Sequence, residues 1–256
     1  MFQLQSDFLK EIGGKTLDII YPRRCPVCDG IVGAIEFRDG KIVTGRLIHE
    51  ECDKKVRRIS GNTCAKCGKL LGAGHEDDEY CADCNKVHHL FDRGFSVFDY
   101  RSISGSIYRF KYMGRQEYAS FYAKEAARLL ENKIRRINPD AIIPVPMYGD
   151  KEIKRGYNQA QVLALELSKE LGIPCFSDVI CRVRNTQPMK ELDARGRRNN
   201  LKKAFIIAKN DVKFKCILII DDIYTTGSTI DEIAHEFRVA GVGRIFFLTL
   251  AIGQTT

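Results

Sequence analysis

Four pairs of metal-binding residue types with one common spacing lie within 60 residues of each other, and they constrain the fold more than any other feature. Three pairs are Cys-x-x-Cys and one has histidine in the first position: Cys25 and Cys28, His49 and Cys52, Cys64 and Cys67, and Cys81 and Cys84. Two such ligands three residues apart can bind one ion from a tight turn, and a second pair completes a tetrahedron. Four pairs therefore predict two zinc ions.

The simplest assignment of these pairs is sequential, with the first two on one ion and the last two on the other, although the sequence also permits an interleaved one. Redox chemistry is an alternative, but redox Cys-x-x-Cys motifs usually occur singly beside a βαβ unit. A closed Cys-rich site has no open coordination position, so we expect structural zinc. Its removal is expected to unfold the N-terminal region and leave the rest of the chain largely folded.

A change in composition near residue 90 predicts two domains. Residues 1–90 hold seven of the ten cysteines, and their apolar spacing predicts a short amphipathic helix at about 4–12. Residues 91–256 alternate predicted strands, at 95–98, 141–145, 179–183, 216–220 and 244–251, with predicted helices. Strands that alternate with helices favour a mainly parallel sheet. The predicted fold class is therefore α/β, with a small N-terminal zinc domain.

The beginning of the sequence lacks the features of an exported protein. The first fifteen residues contain neither a basic leader nor a continuous apolar stretch, and every apolar run is far shorter than the ~18 residues of a membrane-spanning helix. We therefore expect no membrane span and a cytoplasmic location, where cysteines stay reduced. The net charge of +8 permits polyanionic partners.

The segment 217–229 has the features of a phosphate-binding loop after a buried strand. Four hydrophobic residues precede the acidic pair Asp221 and Asp222, and a run of threonine, glycine and serine then opens a helix. Hydroxyl groups and N–H groups at a helix N-terminus form an anion-binding cradle. Carboxylates just before it can bind the hydroxyls of a sugar that carries the phosphate. Open α/β sheets bind ligands at this end of their strands.

This segment resembles the 5-phosphoribosyl-1-pyrophosphate signature of type I phosphoribosyltransferases. Further segments, at 143–146, 155–160, 184–188 and 195–200, resemble those of the ComF family, and the similarity covers about residues 21–252. Members of that family join a Cys-rich zinc region to a phosphoribosyltransferase-like domain. His49 departs from the family pattern, in which cysteine is common, but histidine keeps the capacity to bind metal.

The resemblance implies roles for individual residues. Asp221 and Asp222 would hold the ribose hydroxyls, and the 5-phosphate would be held by Thr225, Thr226, Gly227, Ser228 and Thr229. Pyrophosphate would bind after Pro146, near Lys151 and Arg155, with Mg²⁺ bridging its oxygens. We assign no catalytic residue.

Much of the excess positive charge lies between residues 182 and 203. This segment has eight basic and two acidic residues, a net charge of +6, and it resembles the flexible hood of type I phosphoribosyltransferases. Guanidinium groups match phosphate, which suits pyrophosphate or a nucleic-acid backbone. A solvated charged loop is the alternative. We favour nucleic acid, with contacts from Arg184, Arg195, Arg197 and Arg198.

Aromatic residues form a second patch with basic ones ahead of the longest predicted helix. Tyr108, Phe110 and Tyr112 accompany Lys111 and Arg115. Such a pattern can stack single-stranded bases. Packing of the aromatic rings beneath the sheet is the favoured expectation.

Two functional hypotheses follow. The favoured one is a ComF-like protein of natural competence that binds phosphoribosyl pyrophosphate and assists uptake of single-stranded DNA, with a DNA-uptake helicase or other competence proteins as candidate partners. The alternative is a phosphoribosyltransferase of nucleotide metabolism that moves ribose 5-phosphate to a nucleobase or amine. A zinc-ribbon adaptor without ligand binding is a third reading, which the intact loop weakens. No segment indicates a nucleobase pocket, so the sequence leaves turnover open.

Overall fold

The computed structural model describes residues 22–33, 35–38, 41–72, 74–75, 77–184, 203–208 and 213–253, with the backbone alone at 36–38 and 41–44. The chain divides into two compact units, one ending at Val56 and the other beginning at Arg57. The helix predicted at about 4–12 lies outside the described residues. A domain boundary near residue 90 stays a prediction.

The first unit carries a β-hairpin and one helical turn. β1 (Ile35–Arg38) pairs antiparallel with β2 (Lys41–Thr44), and α1 (Glu50–Asp53) follows. Before the hairpin, the N–H of Cys25 donates to the carbonyl of Gly30 at 2.8 Å, and the N–H of Asp29 donates to the carbonyl of Cys25 at 2.9 Å. These bonds close the turn that contains the first Cys-x-x-Cys pair.

The second unit alternates strands and helices. In chain order its elements are α2 (Ala82–Lys86), β3 (Arg93–Asp99), α3 (Tyr100–Tyr112), α4 (Tyr118–Ile137), β4 (Ala141–Pro144), α5 (Gly149–Arg155), α6 (Gln159–Leu171), β5 (Ile180–Arg182), β6 (Phe205–Ile207), β7 (Cys216–Tyr224), α7 (Ser228–Val239) and β8 (Arg244–Ile252).

A four-stranded parallel sheet forms the centre of this unit, in the order β3-β8-β7-β4. Helices cover it: α6 packs on β4 and β7, and α4 packs on α6 and β3. Burial on both faces explains why β7 and β8 are almost continuously hydrophobic. The predicted α/β fold with a mainly parallel sheet is confirmed.

Local signals fix the ends of the two main helices. The C-cap of α4 is Asn138, whose φ of 46° is left-handed, and the C-cap of α6 is Gly172, with a φ of 69°. The side chain of Asn158 caps α6 by accepting the N–H of Ala160 at 3.0 Å. Within the described residues, no helix combines the length and the apolar character needed to cross a bilayer.

β5 and β6 form a separate antiparallel pair. The strand predicted at 179–183 corresponds to β5, but its partner of three residues gave no recognisable pattern in the sequence. Of the candidate nucleic-acid contacts, Arg184 follows β5 and is exposed, whereas Arg195, Arg197 and Arg198 lie outside the described residues.

Candidate functional site

The first predicted ligand set converges on one point in the first unit. Its four ligand atoms lie within 4.8 Å of one another, and they belong to Cys25, Cys28, His49 and Cys52. Sγ of Cys28 lies 3.3 Å from Nδ1 of His49, near the ~3.6 Å expected between sulfur and nitrogen ligands of tetrahedral zinc. Nε2 of His49 lies 2.9 Å from the carbonyl oxygen of Ile31. Because a carbonyl only accepts, Nε2 carries the proton and Nδ1 fits as the fourth ligand.

The second ligand set converges in the same way, with four sulfur atoms within 4.8 Å of one another, from Cys64, Cys67, Cys81 and Cys84. Sγ of Cys67 and Sγ of Cys81 are 3.7 Å apart, which matches the ~3.8 Å between two thiolates on tetrahedral zinc. Both sets follow the sequential pairing of motifs rather than the interleaved one. Both donor sets are closed, as structural zinc requires.

The second set belongs to the hydrophobic core of its unit. Its buried thiols pack in one cluster with Phe91, Tyr224 and Phe247. Close beside it, the buried Lys69 donates to the carboxylate of Asp83 at 2.6 Å. Burial opposes the charge on Lys69, but the attraction of Asp83 and the thiolates prevails and raises its pKa. A buried cation thus offsets part of the negative charge that four thiolates bring.

The acidic pair of the predicted phosphate loop lies on β7, near its carboxyl end. Asp222 is buried, and its carboxylate accepts from Nζ of Lys111 at 2.8 Å and from Nε2 of Gln159 at 2.6 Å. Burial opposes the charge of Lys111, but the attraction of Asp222 outweighs it and raises the pKa of Lys111. Sequence reasoning did not assign Lys111 or Gln159 to this site, because α3 and α6 bring them from distant parts of the chain.

Asp221 is held differently from its neighbour. Burial, followed by the charge of Asp222, raises the pKa of Asp221 to about 7, although the N–H of Asp222 and the cations Lys111 and Arg182 oppose the shift. Near pH 7 the carboxyl group of Asp221 is therefore protonated in a fraction of the molecules. A cation or a hydroxyl donor at Asp221 favours the ionised form.

This shift predicts that the ligand-free protein loses stability as the pH rises. An unfolded Asp ionises near pH ~4, whereas folded Asp221 ionises at about 7. Between these values the folded state holds a proton that the unfolded state lacks, so the free energy of unfolding falls until the pH exceeds the folded pKa. We expect Asp221→Asn to raise the melting temperature at pH 8 more than at pH 5. An equal change at both values would contradict the shift.

The loop after the acidic pair leads into α7 through Gly227. Its φ is 77°, and a Cβ there would lie 2.7 Å from the hydroxyl oxygen of Tyr224, so a larger residue would strain the backbone and clash. Oγ1 of Thr226 and Oγ of Ser228 are 2.9 Å apart. Residues 221 and 223–230 line one small concave pocket. The predicted 5-phosphate residues are therefore brought together at the N-terminus of α7.

The loop before α7 is stabilised by a contact that the sequence did not predict, between His89 and Asp231. The buried His89 stacks on Phe91, with ring centroids 4.7 Å apart, and its Nδ1 lies 2.7 Å from a carboxylate oxygen of Asp231 in the first turn of α7. The N–H of Leu90 donates to the other oxygen of Asp231 at 2.9 Å. The segment after the second zinc set therefore fixes the helix that follows the loop.

Cations gather beside the acidic pair. The pKa of Lys151 is lowered by burial and by the charges of Arg182 and Arg155, so Lys151 lies close enough to each arginine to be repelled by it. Arg182 in turn feels the charge of Asp221. Arg155 donates to Oε1 of Gln159, whose amide donates to Asp222. This concentration of positive charge favours the binding of a multiply charged anion.

The aromatic patch is only partly core. Phe110 is buried, as expected, and its ring packs near Tyr122 and Tyr157. The expectation is wrong for Tyr108 and Tyr112, which are 57% and 54% exposed. The helix they belong to, α3, was not predicted, and its 3.6-residue period places them opposite its buried face.

These features define a class of protein: a double zinc ribbon joined to an α/β domain that has an acidic pair and a hydroxyl-rich loop at the end of β7. A family model described as a double zinc ribbon domain matches residues 16–85. Competence protein F of Haemophilus influenzae is 34% identical over 204 residues, which cover 76% of this chain and 85% of that protein. The chain belongs to the ComF family.

Other relatives agree with this assignment. The DNA utilization protein YhgH of Salmonella typhi is 36% identical over 193 residues, covering 72% of this chain and 81% of that protein. Competence protein ComFC of Bacillus subtilis is 25% identical over 189 residues, covering 70% and 72%. A solved purine phosphoribosyltransferase from Pyrococcus horikoshii has 24% identity and a TM-score of 0.34, over 52% of this chain and 74% of that chain. That structural similarity is too distant to bear on activity.

Proposed function

We propose that this protein binds 5-phosphoribosyl-1-pyrophosphate with Mg²⁺ and assists the uptake of single-stranded DNA in natural transformation. The observation that carries the first part is the convergence of three features near the end of β7: the acidic pair, the hydroxyl-rich loop before α7 and the cation cluster. A sugar that carries both a phosphate and a pyrophosphate presents hydroxyls and negative charge in a matching combination.

Each feature takes one part of this ligand. Asp221 and Asp222 accept the ribose hydroxyls, and the loop donates hydroxyl and N–H groups to the 5-phosphate. Lys151 and Arg155 attract the pyrophosphate. Mg²⁺ prefers oxygen ligands and keeps several waters, so phosphate oxygens with at most one or two carboxylates suffice.

Two observations support the DNA part of the proposal. Relatives that span most of this chain are named as competence and DNA utilization proteins. The segment 182–203, with a net charge of +6, offers guanidinium groups to a phosphate backbone. Competence proteins such as a DNA-uptake helicase are the partners that this role implies.

Incubation with phosphoribosyl pyrophosphate and Mg²⁺ tests the proposal. Calorimetric titration measures binding, and an assay for released pyrophosphate, with and without single-stranded DNA, measures turnover. We expect binding that requires Mg²⁺. A protein that binds neither the sugar phosphate nor single-stranded DNA would contradict both parts.

A phosphoribosyltransferase is the second candidate, because the cation cluster beside the acidic pair would also stabilise a departing pyrophosphate. In that reaction the bond between the anomeric carbon and pyrophosphate breaks while a nucleobase or amine bonds to the carbon. Pyrophosphate release that depends on an added nucleobase or amine, rather than on DNA, would favour this candidate.

The DNA part predicts a defined effect of three arginines. We expect Arg195→Ala, Arg197→Ala and Arg198→Ala together to weaken binding of single strands of unrelated sequence, since phosphate contacts carry no base information. Each lost contact lowers the slope of log K against log salt by ~0.7, so the triple variant should lose about 2. Fluorescence anisotropy over a salt series measures both quantities.

A control removes the same charge elsewhere, through Lys133→Ala, Arg135→Ala and Arg136→Ala on the exposed face of α4. This control should keep the parent salt slope. If the segment instead covers the sugar phosphate, the first triple variant would lose phosphoribosyl pyrophosphate and keep DNA. If the first triple variant binds both ligands like the parent, the segment 182–203 is a solvated loop that contacts neither ligand.

A further inference from the structure

The exposed side of α3 carries a pair of tyrosines. Tyr108 and Tyr112 are one helical turn apart, with ring centroids 5.1 Å from each other, and among the described tyrosines and phenylalanines they are the most exposed. The opposite side of the helix is buried through Ile103, Ile107 and Phe110. The helix is therefore anchored by one face and presents two neighbouring aromatic rings on the other.

A cation extends this pair. The guanidinium carbon of Arg155 lies 4.9 Å from the ring centroid of Tyr112, within the range of a cation–π contact. Arg155 comes from α5, so the contact joins two helices. The two aromatic rings, which are tilted by 49° to each other, and the guanidinium group thus form one contiguous cluster, to which we refer as the tyrosine platform (Tyr108, Tyr112 and Arg155).

Side-chain contacts connect the tyrosine platform to the acidic pair. Arg155 donates to Oε1 of Gln159, and Nε2 of Gln159 donates to Asp222 at 2.6 Å. Lys111, which adjoins Tyr112 in the sequence, donates to the other carboxylate oxygen of Asp222 at 2.8 Å. The platform therefore borders the proposed sugar-phosphate site and the cations around it.

We propose that the tyrosine platform stacks bases of single-stranded DNA; this rests on the DNA part of the proposed function. Every base has a π-face, so stacking on tyrosine and arginine tolerates any sequence. Lys151, which lies close enough to Arg155 to be repelled by it, complements the charge of a phosphate backbone. A small ligand such as a free nucleobase usually buries most of its surface in a pocket. Rings that are more than half exposed suit a polymer held at several points instead.

A labelled 15-nucleotide single strand tests the platform by fluorescence anisotropy. We expect Tyr108→Ala with Tyr112→Ala to weaken binding by about 30-fold or more, because two stacking surfaces are lost. The matched control, Tyr108→Phe with Tyr112→Phe, keeps both rings and should bind within about twofold of the parent. A strand of the same length without bases should bind the parent weakly and show no difference between the variants. Melting temperature and zinc content report whether each variant is folded.

A base analogue gives an independent readout. Emission of 2-aminopurine in the strand should be quenched by the parent and the Phe variant but not by the Ala variant. A folded Ala variant that binds like the parent, or base-free DNA that binds the parent as tightly as ordinary DNA, would overturn the platform alone. Displacement of the strand by free adenine would assign the rings to a free base and overturn it too. If the parent protein does not bind single-stranded DNA, both the platform and the DNA part of the proposed function are contradicted.

Discussion

Replacing Asp221 and Asp222 together with asparagine is expected to abolish measurable binding of phosphoribosyl pyrophosphate. Hydrogen bonds to charged groups contribute ~1.5–3 kcal/mol each, so loss of both carboxylates should weaken binding by about 100-fold or more. Asparagine keeps the size of the side chain, but its amide lacks the charge that the ribose hydroxyls and Mg²⁺ favour. Calorimetric titration in the presence of Mg²⁺ measures the loss.

The control for this variant changes the same charge on α6, through Glu166→Gln and Glu170→Gln. It should bind like the parent. Because Asp222 also pairs with the partly buried Lys111, melting temperature and zinc content must show that the double variant is folded. Parent-like affinity in a folded double variant would refute the assignment of the acidic pair.

Loss of the second zinc set is expected to unfold the α/β unit. Cys67 and Cys81 lie in the same buried cluster as Phe91, Tyr224 and Phe247, and apparent binding free energies of structural zinc reach ~10 kcal/mol or more. That exceeds or equals the net stability of most domains. Cys67→Ser with Cys81→Ser should therefore lose one zinc ion, the cooperative thermal transition and binding of phosphoribosyl pyrophosphate.

The matched control is Cys28→Ser with Cys52→Ser in the first set. It should also lose one of about two zinc ions but keep a folded second unit, because these cysteines belong to the unit that ends at Val56. The position of the second set thus changes the sequence-based expectation that zinc removal spares the α/β region. A parent-like thermal transition in the Cys67 and Cys81 variant would contradict this prediction and would support the original expectation that the α/β region folds without zinc.

Features that depend only on residues close together in the chain could be predicted from the sequence. The ligand spacings, the segment 217–229 and the parallel strands follow local patterns in the sequence. The resemblance to the ComF family is confirmed. Contacts between distant segments were not predictable, because nothing near Lys111 indicates Asp222 and nothing near His89 indicates Asp231. The exposure of Tyr108 and Tyr112 depends on α3, a helix that the sequence analysis did not predict.

The strand order has a consequence for synthesis of the protein on the ribosome. β8, the last strand of the described chain, lies between β3 and β7, and its Phe247 packs edge-on against Phe91 with centroids 4.8 Å apart. The second zinc ligands and β3 therefore emerge early but lack their sheet neighbour until residues 244–252 are made. A nascent chain that stalls before β8 would expose Phe91 and one edge of β7. The interval before translation of β8 is when this chain most needs protection from aggregation.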